Sequence, residues 1–254
     1  MLDLNPNLLI GIVTNGSVLN EKIRTLLNRG RFRINISIDS ADKQTYEAIR
    51  RNGNFEHLME NFNWFKEYGE RVNLPLNIPI CPLTDNWSTI PQTVRFANQH
   101  NVTLNFVYVY RPFAMALANC KAAYLENIIA QFSSEKFESL SPRAAANISR
   151  FNGLLEEIKK WRDNNLQLEQ TVHHSNLMQM LQTKIEVWGA EKTAAERDTM
   201  FEKINEMFNA IPPQNHEVAI RFFGGYSAQS LGEFLETKNN KEIAVFFREL
   251  VGAE

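Results

Sequence analysis

Ser37 and Asp39 stand two residues apart in the stretch Arg33-Ile34-Asn35-Ile36-Ser37-Ile38-Asp39, where isoleucine alternates with other residue types. That alternation has the period of a β-strand, so the hydroxyl and the carboxylate share one face, about 6–7 Å apart. Such a pair suits a ligand with several hydrogen-bonding groups, such as a ribose or an amino acid moiety. The plainer role for Asp39 or Ser40 is to cap the helix that follows. Arg50 comes one short helix later, where its plain role is to complement the dipole at that helix's C-terminus. Asn15 and Gly16 form a turn after an apolar run, while Asn86 is expected to cap a helix, with a ligand role as the alternative.

Other reactive residue types carry less. Cys81 and Cys120 are 39 residues apart with no third thiol to join them, and Cys81 precedes a proline, as a structural thiol would. His173 and His174 are adjacent, so on a helix they point about 100° apart and make a poor metal site. Gly224-Gly225 lacks the Lys and Ser/Thr of a phosphate-binding loop and reads as a turn after a last short strand at 217–223.

Composition bounds the classes. Lys plus Arg (27) nearly balances Asp plus Glu (29), which argues against nucleic acid as a partner. Charges interrupt every apolar stretch, so no membrane partner is expected, and residues 1–6 do not read as a secretory signal. Two cysteines are too few for a disulfide framework and suit a reducing, cytoplasmic setting.

The elements that must position Ser37, Asp39 and Arg50 follow from periodicity. Strands are expected at 8–13, 33–39, 72–80 and 102–110, the last running into Arg111-Pro112. Helices are expected after Asn20 with Gly30 as stop, at 42–51 ended by Gly53, from Asn54 to about Gly69, and at 90–100. Phe55, Leu58, Phe62 and Phe65 repeat at helical spacing and read as core. Short connections between alternating strands and helices imply parallel βαβ units. Helical periodicity then dominates at 121–132, 144–162, 175–188 and 193–210, with a break at Pro212-Pro213. The expected fold is α/β, a truncated (β/α) barrel of about four parallel strands at 1–135, followed by a mainly helical region at 136–254.

Four segments in order carry a family resemblance. Ile12-Val13-Thr14-Asn15-Gly16, then Ile36-Ser37-Ile38-Asp39-Ser40 with Thr45-Tyr46-Glu47-Ala48-Ile49-Arg50, resemble the third and fourth strand regions of radical S-adenosylmethionine (radical SAM) enzymes. Cys81-Pro82-Leu83-Thr84-Asp85-Asn86-Trp87 resembles the segment after the fifth strand, and Asn105 to Pro112 the sixth. The likeness covers about residues 6–112 and is nearest to the SPASM-type subgroup.

That resemblance implies a partial barrel that binds S-adenosylmethionine and a [4Fe–4S] cluster, with reductive cleavage yielding a 5′-deoxyadenosyl radical. It places Ser37 and Asp39 against the cosubstrate's methionine or ribose groups, Arg50 at its carboxylate, and Asn15 and Gly16 at the rim. The family's three-cysteine cluster loop and the extra cysteines of the SPASM extension have no counterpart here, so no cluster is expected in this chain and S-adenosylmethionine is expected to bind weakly. The chain therefore reads as a fragment or degenerate member, inactive alone, with a missing N-terminal half or a partner chain completing its sheet. The alternative is a non-catalytic binding or assembly protein built on a half-barrel.

Overall fold

The computed structural model describes residues 8–110, 114–172, 177–210, 216–239, 241–243 and 245–246. Four strands, β1 (Leu9–Thr14), β2 (Arg31–Ile36), β3 (Asn77–Ile80) and β4 (Thr103–Phe106), form one parallel sheet in the order β1-β2-β3-β4. Helices α1 (Glu21–Asn28), α2 (Lys43–Ile49), α3 (Phe55–Arg71) and α4 (Ile90–Gln99) connect them. The α/β expectation holds; β1 and β2 are shifted by one to three residues from the expected 8–13 and 33–39, while β3 and β4 are shorter than expected. β3 starts only at Asn77, because Pro75 donates no backbone hydrogen bond and Leu74 instead closes the turn after α3.

Side chains that begin the helices explain where they start. Asn20, Asp42 and Asn54 accept the backbone N–H groups of Ile23, Thr45 and His57, each bond supplying about 1 kcal/mol. Their ends differ from expectation. Neither Gly53 nor Gly69 is the left-handed stop; Asn52, Asn73 and Asn101 take that conformation, at φ 63°, 55° and 51°. Gly69 lies inside α3 for a different reason: a Cβ there would stand 2.7 Å from the Leu74 carbonyl oxygen.

One face of the sheet buries Phe32, Ile34, Ile36, Ile78, Ile80 and Leu104 against Leu58, Phe62 and Phe65 of α3 and Val94 and Ala97 of α4. The other face carries Arg33, Asn35 and, on the neighbouring strands, Asn77 and Asn105. The two sheet edges are treated differently. Asn147, fully buried, accepts the Leu104 N–H and donates to the Val102 carbonyl, so it covers the outer edge of β4. Along β1 no such cover exists among the described residues, and Val13 is 72% exposed.

After β4 the described chain is helical: α5 (Ala122–Ser134), α6 (Pro142–Val172), α7 (Leu177–Trp188), α8 (Ala194–Ala210), α9 (His216–Gly224) and α10 (Ala228–Thr237). The strand expected at 217–223 is instead α9, whose Ala219, Ile220, Phe222 and Phe223 are buried at helical spacing. Arg111-Pro112, His173-His174 and Pro212-Pro213 lie outside the described residues. The chain divides into two compact units, Met1–Val109 with Asn127–Ile158, and Tyr110–Glu126 with Lys159–Glu254. The first holds the sheet. The second has its own core of Leu181, Ile185, Trp188, Ile204, Phe223, Leu231 and Leu235.

Candidate functional site

Polar groups collect where β2 and β3 end. Beyond Ile36 the chain continues as Ser37-Ile38-Asp39-Ser40, and Ile38 stays fully buried, which keeps Ser37 and Asp39 on the opposite face. Ser37 is anchored by its backbone N–H to the Thr14 carbonyl, and its hydroxyl has no hydrogen bond among the described residues. Asp39 is 7% exposed. Its carboxylate accepts a hydrogen bond from Arg50 Nε at 2.6 Å.

This ion pair gives Arg50 a partner at the end of β2. The short helix α2, capped by Asp42 and not by Asp39 or Ser40, turns the chain back so that Arg50 faces the end of β2. Nε is engaged with Asp39, while the two terminal nitrogens have no partner among the described residues and the side chain is 36% exposed. A guanidinium held at one edge and open at the other is set for a ligand carboxylate.

Asn86 proves to be a tie between strand ends, not a helix cap. It is fully buried, accepts the Leu83 N–H at 2.8 Å, and donates to the Asp39 carbonyl at 2.8 Å and the Cys81 carbonyl at 2.9 Å. Ser40 and Thr89 share a hydrogen bond at 2.8 Å, and Thr93 accepts the Ala41 N–H, so α4 braces the same turn. Sequence reasoning missed this bracing, since a polar residue at a loop looks the same whether it meets water or a neighbouring strand.

Asn15 and Gly16 lie at the end of β1. Gly16 has φ +71°, and a Cβ there would meet Leu58 Cδ1 at 2.7 Å. Its carbonyl accepts from buried Asn61 at 2.7 Å, while exposed Asn15 accepts the N–H and hydroxyl of Ser17. Neither meets Asp39 or Arg50 through a hydrogen bond.

Cys81, half-buried at the end of β3, has its thiol pushed up by burial and then by the nearby Asp39 charge. That is the opposite of what a thiolate ligand requires. Cys120 belongs to the second compact unit. Among the described residues no group of three His, Cys, Asp or Glu side chains is placed to hold a metal. Two such thiols do not fit a [4Fe–4S] cluster, which takes three or four. The open end of Arg50, with Ser37 beside the Asp39 carboxylate, does fit the carboxylate and hydroxyl groups of S-adenosylmethionine.

Comparison with known proteins gives the same region a relationship. Residues 2–97 match the Radical SAM superfamily. GTP 3',8-cyclase of Marinobacter nauticus is 32% identical over 96 residues, 38% of this chain and 28% of that protein. GTP 3',8-cyclase of Listeria monocytogenes is 28% identical over 116 residues, 46% of this chain and 34% of the relative. That of Agrobacterium fabrum is 32% identical over 97 residues, 38% and 27% of the two chains. The chain thus spans about a third or less of the length of these relatives. No solved structure matches. Ser37, Asp39 and Arg50 all fall inside the superfamily match.

Proposed function

We propose that the sheet-bearing unit is the cosubstrate-binding part of a radical SAM barrel, with Arg50 holding the methionine carboxylate of S-adenosylmethionine. The Asp39–Arg50 ion pair at the end of β2 carries this reading. Asp39 fixes the guanidinium at Nε, so the open nitrogens meet the ligand without first losing much side-chain entropy. Ser37 serves a ribose hydroxyl, and Asn15 and Gly16 form the rim. In this family S-adenosylmethionine is the source of a 5′-deoxyadenosyl radical; the residues here bind and orient it. The likeness to SPASM-type enzymes belongs to the same proposal and rests on motif order.

The chain alone does not start that chemistry in this reading, since its two thiols do not fit a cluster. The sheet is completed along β1 by further strands, from another segment of a longer protein or from a partner chain. The contrast between β4, covered by Asn147, and the open β1 edge with exposed Val13 supports this. Activity on GTP, named for the relatives, is the leading candidate for the completed protein.

The test is a titration of the ¹⁵N-labelled chain with S-adenosylmethionine, following the Arg50 Nε–H signal. The expected result is saturable binding with a Kd of roughly 1 mM, about 4 kcal/mol, because only a few solvent-competing contacts act. Arg50→Ala and Asp39→Ala should each weaken it severalfold. Binding unchanged in both variants would overturn the proposal.

A further inference from the structure

Three asparagines cross the sheet on the face opposite the isoleucine core. Asn105 of β4 donates to Asn77 of β3 at 2.5 Å, Asn77 donates to Asn35 of β2 at 2.6 Å, and Asn35 donates to the Ile12 carbonyl of β1 at 3.1 Å. The bonds run in one direction over all four strands. Asparagine is depleted in strands, and one on each of three adjacent strands departs from what folding alone selects.

Each carboxamide has two N–H donors and two acceptor lone pairs. The ladder consumes one N–H of each residue and one acceptor site on Asn77 and Asn35. Three N–H groups remain, together with Asn105 Oδ1, which accepts from nothing among the described residues. All three asparagines are only half-buried. Val13 lies in register beside Asn35 on this face, 72% exposed, and Pro79 lies in register beside Asn105. The surface therefore alternates apolar platforms with paired donors and acceptors.

We propose that this ladder is a specificity surface for a planar group carrying an N–H donor next to a carbonyl acceptor, the edge shared by lactam nucleobases such as uracil and guanine and by primary carboxamides. The flat group lies over Pro79 while its edge meets the free acceptor of Asn105 and the remaining N–H of Asn77. The inference rests on the reading that the adjoining strand ends hold a ligand, and it deepens that reading by assigning the substrate's chemical class.

The experiment uses the full chain, ¹⁵N-labelled, with the three Nδ2 signals assigned through single Asn→Asp variants. Uridine is the nucleobase probe, N3-methyluridine the control that lacks the donor, and N-acetylglutamine amide the carboxamide probe. Uridine or the glutamine amide should shift Asn77 and Asn105 saturably, and which of them does so identifies the source. N3-methyluridine should bind about tenfold more weakly than uridine, and Asn105→Leu should weaken binding by a similar factor. If Asn105→Leu does not fold, the comparison of the two uridines on the unaltered chain still decides. Equal binding of both uridines, or no ladder shift with any probe, overturns the proposal. S-adenosylmethionine moving the Arg50 signal while uridine and the glutamine amide leave every ladder signal still overturns the ladder alone. Ladder shifts with uridine or the glutamine amide, with no Arg50 response to S-adenosylmethionine, overturn the cosubstrate reading and leave the ladder standing.

Discussion

Replacing Asn86 with leucine tests whether the site is held by the tie between the ends of β2 and β3. The asparagine is fully buried and makes three hydrogen bonds, from Leu83 N–H and to the carbonyls of Asp39 and Cys81. Leucine has nearly the same volume, so packing changes little and the cost is polar. One N–H and two carbonyls lose their partner in a dry environment, each loss costing about 1–3 kcal/mol. Some relaxation and water entry reduce the sum, leaving about 3–5 kcal/mol, at the top of the range for single substitutions. Hydrogen exchange on amides of β2 and β3 reads this directly and separately from the helical unit. Protection there should fall at least about hundredfold, since 1.4 kcal/mol corresponds to tenfold. The Arg50 Nε signal should broaden as Asp39 loses its backbone anchor. Asn86→Asp adds a sign test. A carboxylate facing two carbonyls has its folded pKa raised above the unfolded value of about 3.9. That variant should be most stable at acid pH and lose stability as pH rises through the raised value. Loss of protection below about fivefold in Asn86→Leu would refute the account of Asn86 as a tie.

Two further expectations concern positions away from the site. His100, packed edge-on against Phe62 at 5.2 Å and tilted on Phe96 at 4.4 Å, has its pKa pulled below 6.5 by burial and then by Lys66. The folded state then binds protons less readily than the unfolded chain, so stability is full above pH 6.5 and falls as pH drops toward the lowered value. Urea midpoints at pH 7.5 and 5.5 should differ less in His100→Gln than in the unaltered protein, and an unchanged difference would refute the assignment. In the helical unit, a methyl on Gly232 of α10 would sit 2.2 Å from Trp188 Nε1. Gly232→Ala should therefore cost about 1–3 kcal/mol. Gly153→Ala, with nothing within 4 Å, should be neutral or stabilising by about 0.5–1 kcal/mol. Similar thermal shifts in both variants would contradict the close approach of α10 to α7.

Local chemistry made much of this protein legible before its fold. The alternation Ile34, Ile36, Ile38 fixes which face is core and so sets Ser37 and Asp39 on the other, because strand geometry has a period of two. Asn20 and Asn54 cap helices through neighbours three residues on, and the stripe Leu58, Phe62, Phe65 is buried as its spacing requires. Each of these depends on contacts within a few residues along the chain. What the sequence does not state is which distant groups meet. Arg50 pairs with Asp39 eleven residues away, Asn86 spans 47 residues to reach Asp39's carbonyl, and Asn147 covers β4 from 43 residues on. The asparagine ladder joins positions 28 and 42 residues apart. α9 reads as a strand in the sequence because so short an apolar run shows too little of either period to distinguish helix from strand. Periodicity assigns faces, whereas hydrogen-bond partners between faces depend on strand order, register and twist, and these exist only once the sheet has formed.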